Sequence, residues 1–417
     1  MNRSLRRRDF LAGVGLAGAG AAVSLGALEG CSVDVRTKTP SLPAPASVQL
    51  PGAPAFQVAP IRARPDRITA ITVCTRPFRA QGPRLEVERM GSKTVVHNYG
   101  HGGSGWSLSW GSSTIATENA LATGERDIAV IGCGALGLTS ALLLQRAGAH
   151  ATIYAKDVPP NVRSSLASGV WSPDSRICLQ DYATPAFKQV WERMARQSFR
   201  TYQSLLGLPG NPVEFIDNYF ITNDTPPAPR PPGAEDLRRP FADLQGELIG
   251  DLVPRTDRFA PGTHPFGQRS VRRTSFMMFN ISAYARMLVS DFLAGGGRIE
   301  IREFHSPADF AQLREKTLIN ATGFGARALL GDQSITPVRG QLAHLIPQPE
   351  VHYGLYYKRV SFVPRRDGLV FQFVGDSDYY GFDDESTTPD RTEAELAIDT
   401  IAELFNIAAP QPSDQRS

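Results

Sequence analysis

The residues most suggestive of chemistry lie in one glycine-rich turn. Residues 126–131 have the apolar, β-branched pattern of a buried strand, and residues 138–147 form an apolar helical segment. Between them stand Gly132, Cys133, Gly134, Ala135, Leu136 and Gly137. Glycines at this spacing permit a tight turn and let a pyrophosphate approach the start of the helix. The pattern predicts a dinucleotide site in a βαβ unit.

The strand that follows, residues 151–154, sets the position of a ribose-binding side chain. Asp157 lies 20 residues after Gly137, where an acid that binds a ribose hydroxyl is expected. Lys156 comes directly after the strand, so the residue that meets the ribose is either Lys156 or Asp157. The turn alone does not distinguish a nicotinamide from a flavin dinucleotide.

Length, charge and cysteine spacing limit the class of protein. The 417 residues, 41% of them apolar, suffice for about two domains with their own cores. Lys and Arg number 44 against 41 Asp and Glu, and a net charge of +3 does not suggest a nucleic-acid partner. Cys74, Cys133 and Cys178 are too widely spaced for a metal cluster or a disulfide framework, which predicts buried thiols and no metal site.

The first 31 residues are typical of an export signal. Arginines precede an uncharged, Gly/Ala-rich stretch from Phe10 to Leu28. Arg7-Arg8-Asp9-Phe10-Leu11 resembles the twin-arginine signature, which implies the twin-arginine translocase as a partner and a periplasmic or extracytoplasmic location. The alternative is a transmembrane anchor.

Residues 28–31, Leu-Glu-Gly-Cys, resemble a lipoprotein cleavage box, although Glu29 departs from the usual small residue. Two outcomes are open. Either Cys31 is lipidated and attaches the chain to the membrane, or cleavage at a small-x-small site releases a soluble product.

Periodicity predicts strands and helices that alternate along the chain, without internal repeats. Strands are predicted at 68–75, 94–98, 126–131, 151–154, 298–302, 316–320, 341–346, 356–363 and 369–374. Helices are predicted at 112–122, 138–147, 185–206, 281–295 and 389–405.

Residues 94–111, TVVHNYGHGGSGWSLSWG, form the most specific motif of the chain. The motif is similar, almost residue for residue, to the signature near the C terminus of D-amino-acid and D-aspartate oxidases. The resemblance implies FAD as cofactor and a loop whose glycines pass close to the flavin. It assigns to the cofactor Gly102, Ser104, Gly105 and Ser107, and to the substrate Gly103. His97 and His101 are expected to be structural hydrogen-bonding residues.

Further stretches resemble the FAD-binding segments of the same family. Residues 154–173, which end in ASGVWSP, are similar to its second FAD-binding stretch, and a strand-end ATG follows at 321–323. The cofactor contacts that this resemblance implies are Arg163, Ser164, Ser168, Gly169, Val170, Phe304 and Thr322.

Three residues correspond to substrate-binding positions of the family. Arg76 in TRPFR matches the arginine that binds the substrate carboxylate, and a guanidinium suits that task because it is planar and permanently charged. Tyr357 matches the first of two substrate tyrosines. Ser361 stands where the second would be, which weakens the expected grip on the carboxylate unless Tyr356 or Tyr353 compensates.

The order of the motifs is the reverse of the order usual in the family. Arg76 and the 94–111 motif precede the GCGALG turn, which indicates a circular permutation joined at residues 122–126. The resemblance implies an α/β fold, with a Rossmann-like FAD-binding domain and a second, mixed-sheet substrate domain. The predicted organisation is a signal (1–31), a Pro/Ala-rich linker (32–67), the permuted segment (68–125), an FAD-binding βαβ unit (126–178), a substrate domain interleaved with remaining FAD-domain strands (179–405) and a tail (406–417).

The activity implied by the resemblance is oxidative deamination of D-amino acids by FAD and oxygen, giving 2-oxo acids, ammonia and hydrogen peroxide. Three alternatives remain open. They are a flavin dehydrogenase that passes electrons from another amine or amino acid to a membrane acceptor, a non-catalytic flavin-binding envelope protein, and a nicotinamide oxidoreductase.

Overall fold

Two β-sheets organise the computed structural model, which describes residues 55–223 and 239–405. The strands are β1 (Ile68–Arg79), β2 (Val87–Met90), β3 (Lys93–His97), β4 (Asp127–Ile131), β5 (His150–Ala155), β6 (Val213–Thr222), β7 (Asp257–Phe259), β8 (Ser270–Phe279), β9 (Arg298–Ile301), β10 (Thr317–Asn320), β11 (Ile335–Leu345), β12 (Tyr353–Tyr357), β13 (Val360–Arg365) and β14 (Gly368–Phe373). The predicted signal, Cys31 and the tail 406–417 lie outside the described residues.

Seven α-helices connect or cover these strands in the described ranges. They are α1 (Ser109–Leu121), α2 (Ala135–Arg146), α3 (Pro185–Gln203), α4 (Gln245–Leu248), α5 (Ile281–Ala294), α6 (Ala326–Leu330) and α7 (Arg391–Ala402). Short 3₁₀ helices occur at Pro65–Arg67, Arg163–Leu166, Gln180–Tyr182, Gly250–Leu252, Pro307–Gln312 and Gly323–Gly325.

The smaller sheet has six strands in the order β2-β3-β10-β4-β5-β9. All neighbours are parallel except β2, which pairs antiparallel with β3 at the edge. β3, β4 and β10 are buried almost throughout, as expected for a parallel sheet covered on both faces. The carboxyl ends of the parallel strands therefore share one edge of the sheet.

Three separated stretches of the chain contribute to this sheet: residues 87–97, 127–155 and 298–320. β10 pairs in parallel with β3 on one side and with β4 on the other. The loop that follows β3 in the 94–111 motif and the GCGALG turn that follows β4 consequently start at the same sheet edge. Residues 122–126 separate α1 from β4.

The larger sheet has eight strands in the order β1-β11-β14-β13-β12-β6-β8-β7. Side chains alternate between its faces along each strand. One face carries Tyr357, Phe362 and Phe371, which belong to the core that includes residues of α7 such as Ile398. The opposite face, called here the inner face, carries Leu342, Val363 and Val370, which cluster with Val170.

The strand predicted over 356–363 is wrong, because the chain reverses there. β12 ends at Tyr357, Lys358 and Arg359 have φ of +44° and +66°, and β13 begins at Val360. Tyr357 pairs with Val360, and Tyr356 pairs with Ser361. The paired residues of an antiparallel ladder share a face, so the hairpin places Tyr357 and Ser361 on opposite faces.

Membrane-spanning and metal-binding features were sought in the described ranges. In residues 55–223 and 239–405, no helix is both long and apolar enough to cross a bilayer. The same ranges hold no group of three or more His, Cys, Asp or Glu side chains arranged for a metal ion. Cys133 and Cys178 are buried free thiols, as predicted, whereas Cys74 is only half-buried.

Candidate active site

The turn between β4 and α2 is tight enough to require glycine at two positions. Gly132 has φ +107°, and a Cβ there would lie 2.7 Å from the carbonyl oxygen of Ala321, just after β10. A Cβ on Gly137 would collide with the carbonyl oxygen of Gly132. The first turn of α2 contains no acidic residue. Its free N–H groups and positive dipole end therefore favour an anion.

A cavity of about 670 Å³ opens at this turn and follows the carboxyl ends of β4, β5, β9 and β10. Its volume is in the range of small-molecule sites. It is lined by most of the residues predicted to bind a cofactor or substrate: Arg76, Gly102, Gly103, Gly105, Ser107, Gly132, Cys133, Gly134, Ala135, Leu136, Lys156, Asp157, Arg163, Ser164, Ser168, Gly169, Val170, Phe304 and Thr322.

Two predicted cofactor residues do not line the cavity but shape its wall. Gly137 packs against the backbone of the turn, as described above. Ser104 is fully buried, and its hydroxyl donates to the carbonyl oxygen of Ser175 at 3.1 Å. Both residues hold backbone segments together instead of facing a ligand.

The ribose end of the cavity contains an acid that the sequence reading missed. Lys156 and Asp157 both line the cavity after β5, and Glu303 lines it after β9. The ammonium of Lys156 lies 3.5 Å from a carboxylate oxygen of Glu303. Because the group that binds a ribose hydroxyl in such sites is an acid, Asp157 and Glu303 are the candidates for it.

The loop 97–107 is joined to the stretch 163–175 by four hydrogen bonds. The N–H of Gly103 and the hydroxyl of Ser104 donate to the carbonyl of Ser175. The indole of Trp106 donates to the carbonyl of Ser164 at 2.7 Å, and the N–H of Ser172 donates to the hydroxyl of Ser107 at 2.8 Å. Two segments far apart in the sequence therefore form one continuous wall.

The two histidines of the motif are buried and each has a hydrogen-bonding partner. His97 Nε2 lies 3.0 Å from a carboxylate oxygen of Glu88, and His101 Nε2 lies 2.7 Å from the hydroxyl of Ser112. Burial and the nearby Arg79 charge lower the pKa of His101 to about 3. His101 is neutral at physiological pH, which suits a structural residue.

Arg76 presents a half-buried positive charge to the cavity. Its side chain extends from β1 over Gly340 of β11, and Nη1 donates to the carbonyl of Arg339 at 3.3 Å. Burial lowers the pKa of the Arg76 guanidinium below its usual value. The described part of the chain offers it no carboxylate partner. A half-buried guanidinium that faces a cavity and has no carboxylate partner is suited to bind an anionic ligand.

A second arginine near Arg76 was missed by the sequence reading. Arg176 has φ +49°, and its carbonyl oxygen packs against Gly102 of the loop 97–107. Its Nε donates to the carbonyl of Asp378 at 2.6 Å. Burial and the Arg76 charge lower the pKa of Arg176 to about 10. No local pattern marks this residue, because its neighbours are brought together only by the fold.

The structure contradicts the assignment of Tyr357 to the substrate site. Its side chain is 2% exposed in the core shared with α7, on the face away from the cavity, and its hydroxyl lies 3.5 Å from a carboxylate oxygen of Glu403. Ser361 is on the inner face but lines a second, smaller cavity, together with Tyr356 and Val170. Val170 belongs to both cavities.

Comparison with known proteins assigns the family. A family model described as FAD dependent oxidoreductase matches residues 127–416, more than half of the chain. The chain belongs to the FAD dependent oxidoreductase family. The residue 68–125 segment, which carries Arg76 and the 94–111 motif, precedes the matched range.

Proteins of similar sequence include two D-amino-acid oxidases. It is 26% identical to a D-amino-acid oxidase of Streptomyces coelicolor over 289 residues, which are 67% of this chain and 78% of the relative. It is 27% identical to a D-amino-acid oxidase of Rubrobacter xylanophilus over 280 residues, 64% of this chain and 74% of that one. An L-amino acid deaminase structure from Proteus vulgaris aligns with 67% of this chain and 74% of its own, at 13% identity and a TM-score of 0.43.

The cofactor of this family is FAD, and the cavity suits it. The glycine turn and the start of α2 would hold the pyrophosphate, and Asp157 or Glu303 would hold the adenosine ribose. The joined wall of 102–107 and 168–170 would lie against the flavin. The α/β fold predicted from the sequence is confirmed, with a Rossmann-like sheet and a second, mixed sheet.

Proposed function

We propose that this FAD dependent oxidoreductase deaminates D-amino acids oxidatively, giving a 2-oxo acid and ammonia while oxygen is reduced to hydrogen peroxide. The observation that carries the proposal is the half-buried guanidinium of Arg76, which faces the dinucleotide cavity without a carboxylate partner in the described chain. An amino-acid carboxylate bound there would be held beside Gly103 and Val170, on the wall assigned to the flavin. The named relatives support the same substrate class.

The chain's contribution to the reaction is binding and orientation. Arg76 binds the carboxylate as a planar fork and so directs Cα into the cavity. Bound FAD supplies the two-electron oxidation. The Cα–H bond and one N–H bond break, and water then hydrolyses the resulting imino acid to the 2-oxo acid and ammonia.

The side chains near Arg76 are poor proton acceptors. Burial raises the pKa of the Cys74 thiol above its usual value, so Cys74 stays protonated. The pKa of His101, at about 3, makes it a weak base. The reaction therefore takes the substrate with its amine already neutral, and its rate is expected to rise with pH as the amine loses its proton.

A panel of D- and L-amino acids with peroxide readout tests the proposal. Wild-type protein is expected to form peroxide with D-amino acids, and Arg76→Ala to lose about thirtyfold to a hundredfold in kcat/KM, since a charged hydrogen-bonded contact is worth about 2–3 kcal/mol. Arg391→Ala, an exposed arginine on α7, is the control. Equal activity of wild type and Arg76→Ala would contradict the carboxylate assignment. Substrate oxidation without peroxide would favour a dehydrogenase with a membrane acceptor.

We also propose that the chain is a circular permutation of the family's usual order. β3 and β4 flank β10 in one sheet, yet the family match begins only at residue 127. The two ends of the described chain are neighbours, because Phe56 and Phe405 both pack against Phe266, at ring-centroid distances of 6.2 Å each. Proximity of the ends is what a permutation requires.

Reordering the chain tests the permutation. Residues 127–405, followed by a short Gly/Ser linker and residues 55–125, are expected to fold and bind FAD. The control keeps the natural order and carries the same linker after Gly124. A reordered chain without FAD, beside a control that binds FAD, would contradict the proposal.

The export route is likewise proposed from the first 31 residues. Replacing Arg7 and Arg8 by lysine is expected to retain the protein in the cytoplasm, and Cys31→Ala to release it from the membrane fraction. Unchanged fractionation of the double lysine variant would contradict twin-arginine export. Unchanged membrane association of Cys31→Ala would contradict lipidation.

A further inference from the structure

A second cavity of about 250 Å³ lies on the inner face of the eight-stranded sheet. It is bounded by Ser361 of β13 and Tyr356 of β12, by Phe220 of β6 and by Phe199 of α3. Val170, which lines the cavity assigned to FAD, lines this one too. The two spaces are thus neighbours on either side of a single residue.

We infer that the second cavity receives the substrate side chain and selects amino acids with a large apolar, above all aromatic, side chain. This inference rests on the proposed function, because it takes Arg76 as the carboxylate site. It adds the substrate class, which the family assignment leaves open.

The distance from Arg76 suits such a substrate. The guanidinium lies over Gly340 of β11, and β14 alone separates β11 from β13 in the sheet. Neighbouring strands are about 4.8 Å apart, so Ser361 lies roughly 10 Å across the sheet from Gly340. A phenylalanine-sized molecule that starts at the guanidinium therefore extends past Val170 toward the second cavity.

The chemistry of the wall favours an apolar group. Phe199, Phe215, Phe220 and Phe276 all contribute to it, and none of the described residues that line the cavity is ionisable at neutral pH. A charged substrate side chain would lose its hydration there without gaining a partner of opposite charge. The small side chain of Ser361 leaves open the space that a tyrosine ring at this position would occupy.

Trp171 gives a second, independent indication. Its indole N–H is buried and has no nitrogen, oxygen or sulfur acceptor among the described residues, and Trp171 lines this cavity. The indoles of Trp106, Trp110 and Trp191 each donate to a protein oxygen. Because buried indole N–H groups are normally hydrogen-bonded, a ligand that offers an acceptor, such as the face of an aromatic ring, gains an interaction here.

Calorimetry with two carboxylates that differ only in a phenyl group tests the inference without turnover. The FAD-loaded protein is titrated with propanoate and with 3-phenylpropanoate. We expect 3-phenylpropanoate to bind about tenfold to a hundredfold more tightly, the gain typical of burying one large apolar side chain. Equal affinities in the wild type would overturn the inference.

Two variants locate the preference in this cavity. Ser361→Tyr fills the space, and Asn218→Asp places a charge in the wall with almost no change of shape. Each is expected to reduce the phenyl preference to less than about threefold while propanoate affinity stays unchanged. Ser204→Tyr, which adds the same ring at an exposed position, is the control and should keep the preference. A preference retained in Asn218→Asp would overturn the assignment, even if Ser361→Tyr does not fold.

The failure of the inference and that of the proposed function are distinguishable. A phenyl preference that both variants abolish, with no oxidation of any amino acid, would overturn only the function. Oxidation of D-alanine as fast as D-phenylalanine, with equal affinity for the two acids, would overturn only the inference.

Discussion

The guanidinium of Arg76 on β1 lies over the Cα of Gly340 on the neighbouring strand β11. A Cβ at position 340 would come within 3.0 Å of Nη1, Nη2 and Cζ of Arg76. Position 340 therefore requires glycine because a larger residue would displace the guanidinium. The backbone conformation of Gly340 does not itself require glycine. The position of the proposed carboxylate site thus depends on a residue from the opposite half of the chain.

Gly340→Ala is expected to weaken carboxylate binding while the fold remains intact. The added methyl group meets only the mobile end of a side chain, so Arg76 moves and the backbone does not. We expect the Kd for a simple carboxylate to rise about tenfold, which is about 1.4 kcal/mol. Gly246→Ala, on α4 with open space around it, is the control. Calorimetry measures the affinity, and an unchanged Kd in Gly340→Ala would refute the placement of the site.

Gly137→Ala is expected to abolish FAD binding. Its methyl group would collide with the backbone carbonyl of Gly132, and neither atom belongs to a flexible side chain. The turn must open, which moves the start of α2 away from the pyrophosphate. The ratio of flavin to protein absorbance measures the effect. Full flavin content in the purified variant would show that the turn does not hold the cofactor.

The turn and the 94–111 motif were predictable because their functions depend on local backbone. Position 132 requires glycine because its φ is +107°. Position 102 requires glycine because the carbonyl of Arg176 lies too close for a side chain. Such demands restrict the residue type at each position, so they are visible in the sequence. The place of Glu303 in the cavity wall and the proximity of Arg176 to Arg76 depend on long-range packing and leave no such pattern.

The larger sheet was harder to predict for a related reason. β6 and β8 were missed because charged residues interrupt their apolar pattern. The carboxylate of Asp217 on β6 lies 3.6 Å from the guanidinium of Arg273 on β8, so tertiary pairing accommodates these charges. The turn at Lys358 and Arg359 was missed because neither residue is typical of φ above zero. One unseen turn was enough to assign Tyr357 to the wrong face.

Buried His101 is expected to make the free energy of unfolding decrease as the pH falls. Its pKa is about 3 in the folded chain, against 6.5 when unfolded. Because the unfolded state binds the proton more readily, the stability that depends on neutral His101 is fully present above pH 6.5 and is lost as the pH falls toward 3. Between pH 6 and pH 5 the wild type should lose about 1 kcal/mol more unfolding free energy than His101→Gln. Urea unfolding at both pH values measures this, and parallel losses would show that His101 is not the group responsible.

The proposed role of Arg76 is to bind the carboxylate of a D-amino acid beside FAD in the 670 Å³ cavity. The decisive measurement is the flavin absorbance after anaerobic mixing of the FAD-loaded protein with a D-amino acid. The flavin of the wild type should bleach, and at the same substrate concentration the flavin of Arg76→Ala should bleach about thirtyfold to a hundredfold more slowly. Flavin that stays oxidised in the wild type with every D-amino acid tried, or that bleaches equally fast in both proteins, would contradict the account.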